Sequence, residues 1–198
     1  MAATATTDPT PASAPAAIAR AKADSLRYPY TPADVAFMTN MIGHHAQAIV
    51  MATMAPTHGA NAEIRTLAAR IIISQQDEIA IMQRWLGDRQ QPVPSATGGA
   101  MPMMMHGQMH EMLMPGMLTA AQMQTLDASR KNAFDENFLT FMMQHHRGAL
   151  SMVKDLFATD GAGQDETVFK FASDVNVDQT TEIARMERML FMLKLGKK

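Results

Sequence analysis

Phe37-Met38-Thr39-Asn40-Met41-Ile42-Gly43-His44-His45-Ala46-Gln47-Ala48-Ile49-Val50-Met51 is the stretch on which the fold turns. It returns 101 residues further on as Phe138-Leu139-Thr140-Phe141-Met142-Met143-Gln144-His145-His146-Arg147-Gly148-Ala149-Leu150-Ser151-Met152. A Phe, a Met, a His pair, an Ala and a second Met recur at the same spacing. Positions 37, 41, 44, 48 and 51 step by four and three residues, which marks the inward stripe of a helix.

Upstream, Thr31-Pro32-Ala33-Asp34 supplies a Thr N-cap, a Pro in the first turn and an acidic residue near the positive helix end. Pro56 with His58-Gly59 closes this helix. A second helix is expected over 61–86, with Ile64, Leu67, Ile71, Ile79, Met82 and Leu86 on its apolar face and Gly87 as its stop. Its Gln75-x-x-Glu78-Ile79-x-x-Met82 is echoed by Gln179-x-x-Glu182-Ile183-x-x-Met186. The spacing thus predicts two helical hairpins, residues 31–87 and 130–195, related by internal duplication. The second comprises helices over about 130–157 and 166–195, joined at Asp160-Gly161-Ala162-Gly163. Two such hairpins bury their apolar faces as an all-α four-helix bundle spanning 31–195.

A linker over 88–118 joins them, rich in Pro, Gly and Met and with little periodicity. Thr119-Ala120-Ala121-Gln122 then reads as a capping box opening a short helix. Residues 1–30 read as a flexible Ala/Thr/Pro-rich leader with no apolar core of signal-peptide length. The expectation is a periplasmic or secreted protein whose export signal is not part of this sequence.

At 198 residues the chain is long enough to bury a sizeable core. A net charge of −2 gives no reason to expect nucleic acid or an anionic membrane as partner. No run approaches the roughly 18 apolar residues of a membrane span. Cysteine is absent, which excludes disulfides, thiolate metal sites and cysteine nucleophiles. The chain has 21 methionines, too many for a residue normally used to fill irregular core space.

Any soft metal must therefore be held by Met and His. On a helix, Met41 sits one turn before His44 and His45, and Met142 one turn before His145 and His146. One thioether and one imidazole from each helix would make a four-ligand site of mixed sulfur and nitrogen, suited to copper(I), with silver(I) as its analogue. Adjacent histidines diverge by about 100°, so one of each pair faces the bundle axis and the other a neighbouring helix or solvent. Met51, Met54 and His58 form a weaker outer candidate at the helix end. Core packing is the expectation for Met51 and Met152, and for Met186, Met189 and Met192. Gln75, Glu78, Gln179 and Glu182 are expected either to cap or hydrogen-bond the histidines and orient their rings, or to lie on the surface.

The linker is a second candidate metal site. Met101, Met103, Met104, Met105, His106, Met109, His110, Met112, Met114 and Met117 place eight thioethers and two imidazoles within 17 residues. An exposed Met tract has a hydrophobic cost, and metal capture or adaptable partner binding would offset it.

At Asp34-x-x-Phe37-x-x-x-Met41-Ile42-x-His44-His45-x-x-Ala48 and again at Phe138–Met152, the chain resembles a bacterial ferritin-like family of unknown function with duplicated Met-x-x-His-His helices. The resemblance covers about residues 31–195. It implies a ferritin-like four-helix bundle, export to the periplasm or cell surface, and in some members copper or silver binding through Met and His. Against the di-iron ferritin pattern of Glu and Glu-x-x-His ligands, Met41 and Met142 stand where acidic residues would be.

The expected function is metal sequestration, resistance or delivery with copper as the bound ion, without catalysis, in exchange with a copper-exporting or copper-receiving protein. The alternatives are a metal oxidase built on Glu78 and Glu182, and a metal-free structural or partner-binding bundle.

Overall fold

A computed structural model describes residues 14–27, 29–98, 101–105 and 108–196. The elements in order are α1 (Ala14–Arg27), α2 (Pro32–Thr53), α3 (Ala62–Asp88), β1 (Met101–Met105), β2 (Gln108–Met112), α4 (Ala120–Ala128), α5 (Asn132–Ala158) and α6 (Glu166–Leu195).

The four long helices make the bundle. Each starts where local chemistry satisfies its free N–H groups, except α5. Thr31 and Asp34 cap α2 reciprocally, Asn61 accepts from Ile64 N at α3, and Asp165 accepts from Thr167 N and Val168 N at α6. Helix α5 begins after Lys131, at φ 55°, with no side-chain cap. Thr119 and Gln122 form the expected capping box of the short α4. Gly87 does not stop α3, which continues to Asp88; the residue with positive φ beyond its end is Gln90.

Helices α2 and α3 pack as one hairpin, α5 and α6 as the other, and α2 lies against α5. The core divides into two apolar clusters. One gathers the first half of α2 (Phe37, Met38, Met41, Ile42) with the second half of α5 (Met152, Val153, Leu156). The other gathers the second half of α2 (Ala48, Met51, Ala52) with the first half of α5 (Phe134, Phe138, Met142). Helices α2 and α5 are therefore antiparallel, and the two His pairs fall at the level where the clusters meet.

Matching ties close the two ends. Asp34 of α2 accepts from Gly163 N in the α5–α6 turn at 2.7 Å. Asp135 of α5, 101 residues later in sequence, accepts from the N–H and side-chain amide of Asn61 in the α2–α3 turn. Each hairpin's first helix thus fixes the other hairpin's turn.

Two expectations need correction. Part of the 1–30 leader is helical: α1 spans Ala14–Arg27 and packs against α3, with Ala21 buried. The 88–118 linker is not uniformly irregular. It contains the antiparallel β1–β2 hairpin, whose register sets Met101 opposite Met112, Met103 opposite His110 and Met104 opposite Met109. Among the described residues no helix is long and apolar enough to cross a membrane.

Candidate metal site

All four paired histidines are fully buried, and they form one layer across the bundle. His44 and His145 meet face to face, with ring centroids 3.8 Å apart and planes tilted by 37°. His145 donates from Nε2 to the backbone carbonyl of His44 at 2.9 Å. The Nε2 of His44 is 3.0 Å from the carbonyl oxygen of Pro115. The other two point the opposite way, toward α3 and α6. His146 Nε2 is hydrogen-bonded to Glu182 Oε2 at 2.6 Å. His45 Nε2 lies 2.5 Å from Glu78 Oε2, close in distance but out of line for a hydrogen bond.

The divergence of adjacent residues on a helix thus gives each pair an inner ring facing its counterpart and an outer ring facing a carboxylate. The Nδ1 atoms of His44, His45, His145 and His146 meet no protein hydrogen-bond partner. Burial holds the His44 imidazole far below its ordinary value, down to about 3, with His45 adding to the effect. Burial and then His44 push His145 the same way. Both rings are neutral at pH 7, and neutral imidazole is the metal-binding form.

Thioethers flank the layer on both sides. Met41 is buried in one apolar cluster and Met142 in the other. Among the described residues, no three His, Asp or Glu side chains are grouped so as to hold a metal ion.

A cleft of about 220 Å³ between α3 and α6 is lined by Gln75, Glu78, Asp178, Gln179 and Glu182. It reaches the carboxylates that face His45 and His146. Gln75 and Gln179 form no hydrogen bond to the histidines, contrary to expectation; both are buried, and neither Gln75 Oε1 nor the Gln179 amide is paired.

On the opposite side a strap covers the inner pair. Residues 113–119 leave β2 and cross α2 and α5 above His44. Gln47 brackets the Leu118 backbone, donating to its carbonyl at 3.1 Å and accepting from its N–H at 2.6 Å. Gln144 donates to Gly116 O at 3.3 Å and accepts from Gln122. The strap rests on Gly148, where any Cβ would collide with the Pro115 carbonyl. Sequence reasoning passed over Pro115, Gln47, Gln144 and Gly148. The available signal was a departure from the repeat, since Gly148 stands where the first copy has Gln47.

The strap carries Met114, half-buried against the core, and Met117, buried. Of the other linker candidates, Met101, Met103, Met104, Met105, Met109, His110 and Met112 lie on the β1–β2 backbone, and His106 lies outside the described residues. The outer candidate at the end of α2 is not assembled. Both ring nitrogens of His58 are taken, by Thr57 Oγ1 at 2.9 Å and by Asp127 O and Oδ1 at 2.9 and 3.0 Å. Met51, Met152 and Met186 are core residues as expected, whereas Met189 is partly buried and Met192 is 65% exposed.

Residues 34–190, which include both His pairs and the strap, match the domain of unknown function DUF305. The chain belongs to the DUF305 family. The search of curated proteins returned no match. Among solved structures, a DUF305 protein of Streptomyces coelicolor, named as a candidate secreted protein, is 27% identical, with a TM-score of 0.68 over 82% of this chain and 94% of its own. A DUF305 fragment from Deinococcus radiodurans is 28% identical, with a TM-score of 0.67 over 82% and 98%. CopM in its Cu(I)-bound form is 26% identical, with a TM-score of 0.59 over 79% and 94%. CopM has also been solved with Cu(II) and with silver.

Proposed function

We propose that this DUF305 chain is an extracytoplasmic copper(I)-binding protein, with silver(I) as the soft analogue, that stores or hands on the ion through Met and His ligands and performs no chemistry on it. The observation that carries the reading is the set of four buried Nδ1 atoms without a protein partner, in a layer flanked by the thioethers of Met41 and Met142. A buried nitrogen without a partner costs free energy that a bound cation would offset. Uncharged nitrogen and sulfur donors suit monovalent copper better than zinc or iron. The metal-bound forms of CopM support the same reading, and the Streptomyces neighbour supports a site outside the cytoplasm.

The β1–β2 hairpin and its strap supply a second set of donors, from Met101 to Met117, suited to first capture of the ion and to exchange with a copper-exporting or copper-receiving protein. The test is an anaerobic Cu(I) titration against a competing chelator, on the intact chain and on a variant lacking residues 101–112. The reading expects the intact chain to bind more ions and the variant to keep at least one tight site in the bundle. Binding no tighter than micromolar in both would refute it.

A further inference from the structure

Resting on the copper reading, we infer that the strap is a positioning element of the metal site. The Pro115 carbonyl fixes which nitrogen of His44 carries the proton, so the ion is taken through Nδ1 of the inner histidines, and Gly148 is the position that lets the strap seat.

A backbone carbonyl can only accept a hydrogen bond. At 3.0 Å from Pro115 O, the Nε2 of His44 must be the N–H nitrogen. His145 is in the same situation, because its Nε2 is 2.9 Å from His44 O. That carbonyl has a second lone pair to offer besides the one used along its helix. A neutral imidazole has one N–H, so the proton on Nε2 leaves a bare lone pair on Nδ1. The Nδ1 atoms of both rings face no protein donor.

The strap therefore acts in series. Pro115 sets His44, and His44, through its own backbone, sets His145. This is the work that groups behind a metal ligand usually do: they orient the ring and choose its tautomer.

Seating Pro115 depends on small size below and a grip above. A side chain at Gly148 would collide with the carbonyl and carbonyl carbon of Pro115 and with Gly116 Cα. Gly116 has φ +76°, and a Cβ there would meet Gln144 O and Gly148 Cα, both at 2.6 Å. Two glycines are thus packed against each other so that one carbonyl can reach one imidazole. The grip is Gln47, whose amide holds both backbone groups of Leu118. The second hairpin has Gly148 where the first has Gln47, so the break in the repeat is where the strap crosses.

The experiment is long-range ¹H–¹⁵N correlation on the full ¹⁵N-labelled chain at pH 7, before and after addition of Ag(I). Without metal, His44 and His145 are expected as pure Nε2–H tautomers. With silver, the Nδ1 resonance of at least one of them should move. A Gly148→Ala variant, checked for helix content, should lose the single tautomer at His44 and bind silver about tenfold or more weakly. If that variant fails to fold, Gln47→Ala releases the strap at Leu118 instead and should show the same loss at His44.

An Nδ1–H tautomer in the metal-free chain, or silver bound through Nε2, overturns the inference. So does a folded Gly148→Ala or Gln47→Ala chain with unchanged tautomer and affinity. Nε2–H tautomers without any binding of silver or copper would leave only the control of the tautomer by Pro115 standing, and would overturn the copper reading together with the assignment of Nδ1 as donor.

Discussion

The imidazole of His145 closes on the backbone of the other hairpin, donating from Nε2 to the carbonyl of His44 at 2.9 Å. The two rings are 3.8 Å apart between centroids and fully buried. The bundle therefore folds around neutral histidines, and its metal-free stability depends on pH. Burial lowers His44 to about 3 and His145 well below the 6.5 of a free imidazole. Between the folded and unfolded values the unfolded chain binds more protons. Stability from these groups is therefore complete above about pH 6.5 and declines on acidification, by up to about 1.4 kcal/mol per pH unit for each. Asp135 and Asp178 have raised values and act in the opposite sense, but only nearer the carboxylate range. Denaturant midpoints of the metal-free chain should fall between pH 7.5 and pH 5, and the fall should shrink in a His44→Gln/His145→Gln variant. A flat profile would contradict neutral burial.

Glu182 and Glu78 face the outer rings of His146 and His45 at 2.6 and 2.5 Å. Replacing Glu182 by Ala removes the acceptor of a buried ring N–H, at an expected cost of roughly 1–3 kcal/mol by chemical denaturation. Gln at the same position keeps an acceptor oxygen and should cost less. Because Glu182 holds the outer ring and the ion is assigned to the inner pair, Cu(I) affinity of the folded Ala variant should fall less than in Gly148→Ala; an equal or larger fall would make His146 a ligand.

Asp165 holds the far end of the second hairpin. Its carboxylate accepts from the Trp85 indole at 3.0 Å, from Arg89 at 2.5 Å and from the first N–H groups of α6. Asp165→Ala leaves a buried guanidinium and a buried indole N–H unpaired, so a loss of roughly 3–5 kcal/mol is expected. Trp85 is the single tryptophan, and its fluorescence should report the change without interference. The site is remote from the histidine layer, so Cu(I) affinity of the folded fraction should not move.

Much of this organisation was legible in the residues. Period and caps carry local information, and the duplicated Phe-Met-His-His stripe with Thr31-Pro32 and Thr119-x-x-Gln122 gave the long helices and the start of α4. Helical geometry alone foretold that each His pair would split between two directions. The sequence could not say that the inner rings would face a carbonyl, because Pro115 lies 71 residues from His44 and hydrogen-bonds through a backbone atom that every residue possesses. The same limit hid Gly148, whose meaning is the absence of a side chain beneath a strap. The partner of the weaker candidate His58 was hidden for a related reason, since Asp127 comes from α4, outside the repeated motif. Helix α1 was missed because Ala, Thr and Pro dominate the composition before residue 20 and mask its shorter stripe.

The most direct test of copper binding by the bundle is a Cu(I) titration of the chain lacking residues 101–112, with and without Met41→Leu and Met142→Leu. Leucine keeps the volume of the buried thioethers, so the fold should change by less than about 1.5 kcal/mol per site. The account predicts unchanged helix content and a drop in Cu(I) affinity of tenfold or more, about 1.4 kcal/mol. Affinity equal to that of the unsubstituted chain would contradict it, and would take Met41 and Met142 out of the ligand set.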